Sequence, residues 1–456
     1  MTNINKTPTL HMLIKKAHPL KIYSIIAIVL FLLPATIASA QDKTITLQEA
    51  VALGLQSSKT LKYSQAKIDE AVTEYNQAKD KSLPTASADL TYYRAQIPEN
   101  TLAFGPSTIH LPTSANAYLG IVSVNEVIFG GNKMRYAKQS TDLLTQVARL
   151  SADNDKDQIA YDVINAYYSL YKVQQSIKVV NQNVATVDAQ IHQSQRFFEQ
   201  GLVTKNDVLR FQLQRANIQL NGIDLESNRK IVNYSLDILL GLPETTVLHI
   251  DTITTDTGKT IGPLTDYIDT ALLNRQELRE LDLRNRVAET NIKSINANLS
   301  PTLSASAAGY YVGTNANPIP KVGNDLTPLT AGLTFAWSFD ALWLNKNKVA
   351  QAKVQQEEVN ISQGITSDNV KNEVNQDYQN YIAALDKIRL LRTSIDQATE
   401  NNSILQSKYK SNIASATDRA DAETLLYQAQ INLELAKADA GLAYYTLLKA
   451  TGKLNK

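Results

Sequence analysis

The chain has 456 residues, 45 Lys and Arg against 44 Asp and Glu for a formal net charge of +1, and no cysteine. So even a balance excludes the basic excess of a nucleic-acid binder, and no nucleic-acid partner is expected. Without cysteine there is no disulfide framework and no thiolate metal site, so packing must hold the fold.

Residues 1–40 read as an export signal. Lys15, Lys16 and Lys21 form a basic segment, Ile25 to Leu33 is almost unbroken apolar sequence, and Ala38-Ser39-Ala40 supplies the small residues of a cleavage site. The apolar run is too short to span a membrane as a helix. Cleavage would remove four lysines and no acid, leaving a net charge of −3. No later run approaches the roughly 20 apolar residues of a transmembrane helix.

From residue 41 the elements come in a fixed order. Residues 46–81 are an Ala-rich amphipathic pattern that ends before Pro84. Strands are expected over about 84–94 and 116–127, joined by a loop, "QIPENTLAFGPSTIHLPTSA", with three prolines. Asn132, after Gly130-Gly131, reads as the N-cap of a helix that runs without Pro or Gly to Gln200. Its lower half is a heptad: Val163, Leu170, Ile177, Val184, Ile191 and Phe198 at one position, Ala166, Val173, Val180, Val187 and Ser194 at the other. A seven-residue period implies a left-handed coiled coil. A return helix runs to Gly241, and 242–263, rich in Thr, Asp, Gly and Pro, links to a second half.

That second half, 264–456, repeats the first, 41–241. Shifting 163–241 by 211 positions needs no gap: Val163 falls on Val374, Tyr167 on Tyr378, Asp207 on Asp418, Tyr234 on Tyr445 and Gly241 on Gly452. The repeat predicts helix over 264–299 and strands over about 301–312 and 328–339. The last strand alternates, with Leu329, Ala331, Leu333, Phe335, Trp337 and Phe339 on one face and small or polar residues on the other. Such alternation suits a β-strand with one face in lipid. The fold class is mainly α with a small β part. Four strands cannot close a barrel, which needs about eight, and open edges cannot face lipid, so other subunits must complete it.

The long helix breaks at "FFEQGLVTKNDV" (197–208). Gly201 suits a left-handed C′ position, and Thr204 with Asp207 forms a capping-box pattern. The repeat places Asn412, Ser415 and Asp418 in the same roles. No catalytic motif occurs: His110, His192 and His249 lack ligand spacing, and neither a P-loop nor G-x-S-x-G is present. No enzyme activity, cofactor or metal is expected.

The duplicated plan, "GLVTKNDVL" (201–209) and the "LLGLP" close (239–243) echoed as "LLKATG" (447–452) resemble the TolC-like outer-membrane factors of Gram-negative bacteria. The resemblance covers residues 41–456. It implies a homotrimer with a twelve-stranded barrel in outer-membrane lipid and a long periplasmic helical tunnel. It further implies docking onto a periplasmic adaptor and an inner-membrane pump, as the exit duct of an efflux or type I secretion system. By the same resemblance Asp418 and Asp421, with Asp207 and Tyr409, belong to an entrance gate, Tyr409 bonding to Asp207. Gly201, Leu202, Val203, Asn412 and Ile413 form an adaptor-contacting tip. The family's arginine position is Ala414, a departure that weakens the implied latch. A non-conducting coiled-coil spacer or surface stalk is the alternative, which the alternating strands disfavour.

Overall fold

A computed structural model describes residues 42–96, 98–99, 101–110, 114–251, 261–317 and 325–454. The expected export signal lies outside the described residues, as does 252–260 of the linker. The first half comprises β1 (Asp42–Ile45), α1 (Leu47–Ser57), α2 (Lys59–Asp80), β2 (Thr85–Gln96), β3 (Thr101–Phe104), β4 (Ser107–His110), β5 (Ser114–Phe129), α3 (Lys133–Glu199) and α4 (Lys205–Leu240). The second comprises β6 (Val247–Ile250), α5 (Leu264–Asn274), α6 (Gln276–Asn296), β7 (Thr302–Asn317), β8 (Asp325–Leu326), β9 (Leu329–Ala336), α7 (Ala341–Lys410) and α8 (Ala416–Ala450).

The 67 residues of α3 and 70 of α7 make rods of about 100 Å each at 1.5 Å per residue. Shorter helices cover them in sequence: α3 packs on α2, α6, α4 and α8, and α7 on α5, α6 and α8. The buried residues repeat with the 211-residue offset. Val163, Leu170 and Leu236 lie in one core cluster, and Val374, Tyr381 and Leu447 lie in another.

The helix preceding each strand pair is broken once, where continuous helices were expected. Ser58 leaves helical geometry (ψ 121°) and its hydroxyl accepts the Leu61 N–H at 3.2 Å, so a good N-cap residue starts α2. Arg275 (ψ 126°) divides α5 from α6, its guanidinium held by Glu373 at 2.8 Å and the Ala450 carbonyl at 3.3 Å. Asn132 holds the expected N-cap position of α3, but its side chain makes no cap bond. It follows Gly131 (φ 64°) in a left-handed turn, with φ 66°. A Cβ on Gly131 would lie 2.6 Å from the Ala297 carbonyl oxygen, so the strand-to-helix turn passes too close to its neighbour for any side chain there.

Along α3 the second heptad position stays buried at Val173, Val180, Val187 and Ser194. The first position drifts outward, leaving Phe198 41% exposed while Phe197 packs on Tyr409. A helix of 3.6 residues per turn rotates against a 3.5-residue seam, and here the correction comes in the last turn.

The linker is not all loop. β6 pairs in parallel with β1, from Asp42↔Val247 to Ile45↔Ile250. Two amide side chains seal the other edge of β6. Asn233 accepts the Leu248 N–H at 2.8 Å and donates to the Thr246 carbonyl at 2.7 Å. Gln174 accepts the Ile250 N–H at 3.1 Å and donates to the Leu248 carbonyl at 2.6 Å. The edge is thereby closed to further pairing.

The main sheet has the antiparallel order β2–β5–β7–β9, with β8 beside the far end of β7. Its central pair, β5 with β7, joins the two repeats. The strands run longer than expected except β9, which stops at Ala336. The Ala341 N–H donating to the Ser338 carbonyl begins the turn into α7, so Trp337 and Phe339 stand at the strand–helix junction. The proline-rich connection also differs from expectation, because β3 and β4 form a hairpin in it through Gly105 (φ 59°) and Pro106.

Register sorts the sheet into two faces. The row Ala88–Val122–Gly309–Leu329 crosses all four strands on one face, and Ser87–Ser123–Ala308–Thr330 crosses them on the other. Leu90, Val122, Leu329, Leu333 and Phe335, all on the first face, are 62% to 87% exposed. The outer edges of β2 and β9 have no partner strand among the described residues. Also among these residues, no helix is long and apolar enough to cross a membrane.

Candidate functional site at the hairpin tips

The α3–α4 and α7–α8 turns are built from the same bonds. In the first, the Gly201 N–H donates to the Phe198 carbonyl and the Leu202 N–H to the Phe197 carbonyl, both at 2.9 Å, with Gly201 at φ 72°. In the second, Asn412 (φ 54°) donates to Tyr409 at 3.1 Å and Ile413 to Lys408 at 2.9 Å. This 6→1 and 5→2 pairing around a left-handed residue is a Schellman ending, which satisfies the last carbonyls of the descending helix.

The return helices start alike. The Thr204 N–H and hydroxyl both donate to Asp207 Oδ2 at 2.8 Å. The Ser415 N–H and hydroxyl donate to Asp418 Oδ2 at 3.0 and 2.8 Å, and the Asp418 N–H returns a bond to Ser415 Oγ at 3.1 Å. These bonds, the Ser415 hydroxyl first, hold the Asp418 carboxyl below its ordinary range. Asp418 and Asp421 are both exposed. At the very tip Leu202 is 50% and Ile413 75% exposed, and Val203 is half-buried.

The Tyr409 hydroxyl makes no hydrogen bond to Asp207 within the described chain. The Tyr409 ring is buried between Phe197 and Phe211, at centroid distances of 6.0 and 5.9 Å. Burial pushes its phenol up; the Ser194 hydroxyl opposes that shift and the Asp207 charge adds to it. Among the described residues no hydrogen bond of ordinary geometry reaches the Tyr409 hydroxyl. Asp207 Oδ2 accepts from Thr204. Ala414 packs at the edge of the same aromatic cluster.

One polar group at the tips escaped the sequence reading. Arg419 and Glu423 of α8 form a 3.0 Å ion pair with side chains only 4% and 5% exposed. Arg419 also donates to Asn402 of α7, and Glu423 accepts from Gln190 of α3 at 3.3 Å. The pair thus fastens α8 to both of its long neighbours. Its flanking residues Ala416, Ala420 and Ala422 are buried too, and small residues around an i,i+4 charge pair were the available clue.

A family model described as "Outer membrane efflux protein" matches residues 50–242 and 267–453, one block in each half. The chain belongs to the outer membrane efflux protein family.

Among its relatives is the outer membrane efflux protein BepC of Brucella suis biovar 1 (strain 1330), 22% identical over 374 residues, covering 79% of this chain and 78% of BepC. Outer membrane protein TolC of Salmonella enteritidis is 22% identical over 414 residues, covering 88% and 80%. The fold is similar to that of VceC from Vibrio cholerae, with a TM-score of 0.73 at 16% identity, covering 89% of this chain and 96% of VceC. It is also similar to the open-state MtrE outer membrane channel of Neisseria gonorrhoeae, TM-score 0.67 at 15% identity, covering 90% and 89%. As a member of the outer membrane efflux protein family, the chain has its place in the outer membrane of a Gram-negative cell, with the helices extending into the periplasm. The family is one of efflux channels, not of enzymes.

Proposed function

We propose that three copies form a passive exit duct. One observation carries this reading: an antiparallel sheet with an exposed apolar face, whose β2 and β9 edges have no partner strand among the described residues. Unpaired backbone cannot face hydrocarbon, so β9 of one copy pairs with β2 of the next until the sheet closes, at twelve strands for three copies. The helices continue the wall, and exposed Leu209, Leu213 and Leu220 of α4 support side-by-side packing of copies. The hairpin tips then ring the periplasmic entrance. Asp207, Asp418 and Asp421 give it negative charge, which draws cations toward it. Leu202, Val203 and Ile413 are the contact for a periplasmic adaptor, through which an inner-membrane pump supplies the energy.

Planar-bilayer recording of the purified protein tests the duct. Stepwise conductance is expected, lowered in cation preference by Asp418→Asn with Asp421→Asn; a pure oligomer that never conducts would sink the duct and favour a spacer. With no native cysteine, Leu202→Cys or Ile413→Cys should cross-link in cells to a periplasmic protein. Absence of any such adduct would refute tip docking.

A further inference from the structure

Arg210 and Asp421 occupy one position in two different hairpins. Since α4 begins at Lys205 and α8 at Ala416, each is the sixth residue of its helix, and the 211-residue offset maps one onto the other. Both are exposed. Both line a single cavity of about 300 Å³ between α4 and α8, whose other lining residues, Gln214, Asn217 and Thr424 among them, carry no charge. Just above, Gln214 donates to the Ala420 carbonyl and the Thr424 hydroxyl, each at 3.4 Å, and so draws the two helices together. The other arginine of this stretch, Arg419, is buried and committed to Glu423 and Asn402. The guanidinium available to Asp421 in this cavity is that of Arg210.

Resting on the duct reading above, we propose that Arg210 sets the charge selectivity of the entrance by offsetting Asp421. One turn below, the matched positions are Asp207 and Asp418, acids in both hairpins. At the level of 210 and 421 the sign alternates from hairpin to hairpin instead. Both charges line the same cavity, and screening acts over a Debye length of about 8 Å at physiological salt, so each contributes to the local field there. The consequence is a narrow acidic rim followed by a neutral ring. Such an entrance admits zwitterionic and anionic solutes alongside cations, where two stacked acidic rings would favour cations alone.

The test is the reversal potential of the purified full chain in planar bilayers under a KCl gradient, compared among Arg210→Gln, Asp421→Asn, Asp418→Asn and the swap Arg210→Asp with Asp421→Arg. Arg210→Gln should raise the K⁺/Cl⁻ permeability ratio by about two-fold or more, Asp421→Asn should lower it, and the swap should return it close to the native value. If Asp418→Asn or Asp421→Asn moves the ratio while Arg210→Gln does not, the role of Arg210 is overturned and the entrance reading stands. If none of the substitutions moves it, the entrance reading falls and this inference with it.

Discussion

Gly441 of α8 lies against the ring of Tyr168 of α3: a Cβ at 441 would stand 2.4 Å from Tyr168 Cε1 and 2.7 Å from its hydroxyl oxygen. Tyr168 is itself 3% exposed, and its ring packs near Tyr167 and Tyr445, so it has little room to retreat. Gly441→Ala should therefore destabilise by about 1–3 kcal/mol of overpacking, even though alanine is the better helix former by about 1 kcal/mol. Thermal unfolding of the purified protein reads this as a lowered Tm. Tyr168→Leu in the same background should recover part of the loss; equal loss without recovery would mean that the contact is not the cause.

The Arg419–Glu423 pair makes a prediction with two arms. Glu423→Ala leaves a guanidinium buried without its partner and should cost about 3–5 kcal/mol. Replacing both, Arg419→Met with Glu423→Leu, removes the uncompensated charge and should be close to neutral by comparison. Chemical unfolding of the single and double variants measures the difference. A double variant as unstable as the single would show that burial of charge is not what the pair manages.

Asp237 gives a pH dependence. It is fully buried, with Oδ2 accepting from Asn233 at 2.7 Å and Oδ1 without a partner among the described residues. Burial pushes its carboxyl up to about 6, against the smaller opposing effect of the Asn233 bond. The folded value thus exceeds the unfolded one, so the folded chain holds its proton more tightly. The contribution of Asp237 is most favourable below about pH 4 and is lost as pH climbs to about 6. Asp237→Asn should raise stability above pH 6, on the order of 2–3 kcal/mol, and leave it nearly unchanged at pH 4. Tm differences between native chain and variant from pH 4 to 8 check the sign; a gap that widens toward acid would reverse the assignment.

The hairpin tips were legible because the physics is local and stated twice. A left-handed residue needs Gly or Asn, a capping box needs Thr or Ser with an acid three residues on, and the offset of 211 brings 201, 204 and 207 onto 412, 415 and 418. Asn132 was placed correctly at the N-cap, but asparagine serves both as a capping side chain and as a left-handed residue, and here it takes the second role without a cap bond. β1 and β6 are four residues each and pair across about two hundred positions, so no local pattern announces them. The hairpin of β3 and β4 was hidden by its prolines. Arg419 and Glu423 were passed over because charged side chains default to solvent, and only the three-helix packing reveals that these do not.

For the proposed duct, the edges of β2 and β9, without a partner strand among the described residues, also dictate an order of events. The helical half of the molecule has its own clusters of buried side chains and can take shape in water. The strands are different: a lone chain would carry the unpaired peptide groups of β2 and β9 into hydrocarbon, where each costs several kcal/mol. On the proposed duct, copies would therefore meet before any of them enters the bilayer. Failure to associate would then appear as chains stranded in the periplasm, never as monomers in the membrane.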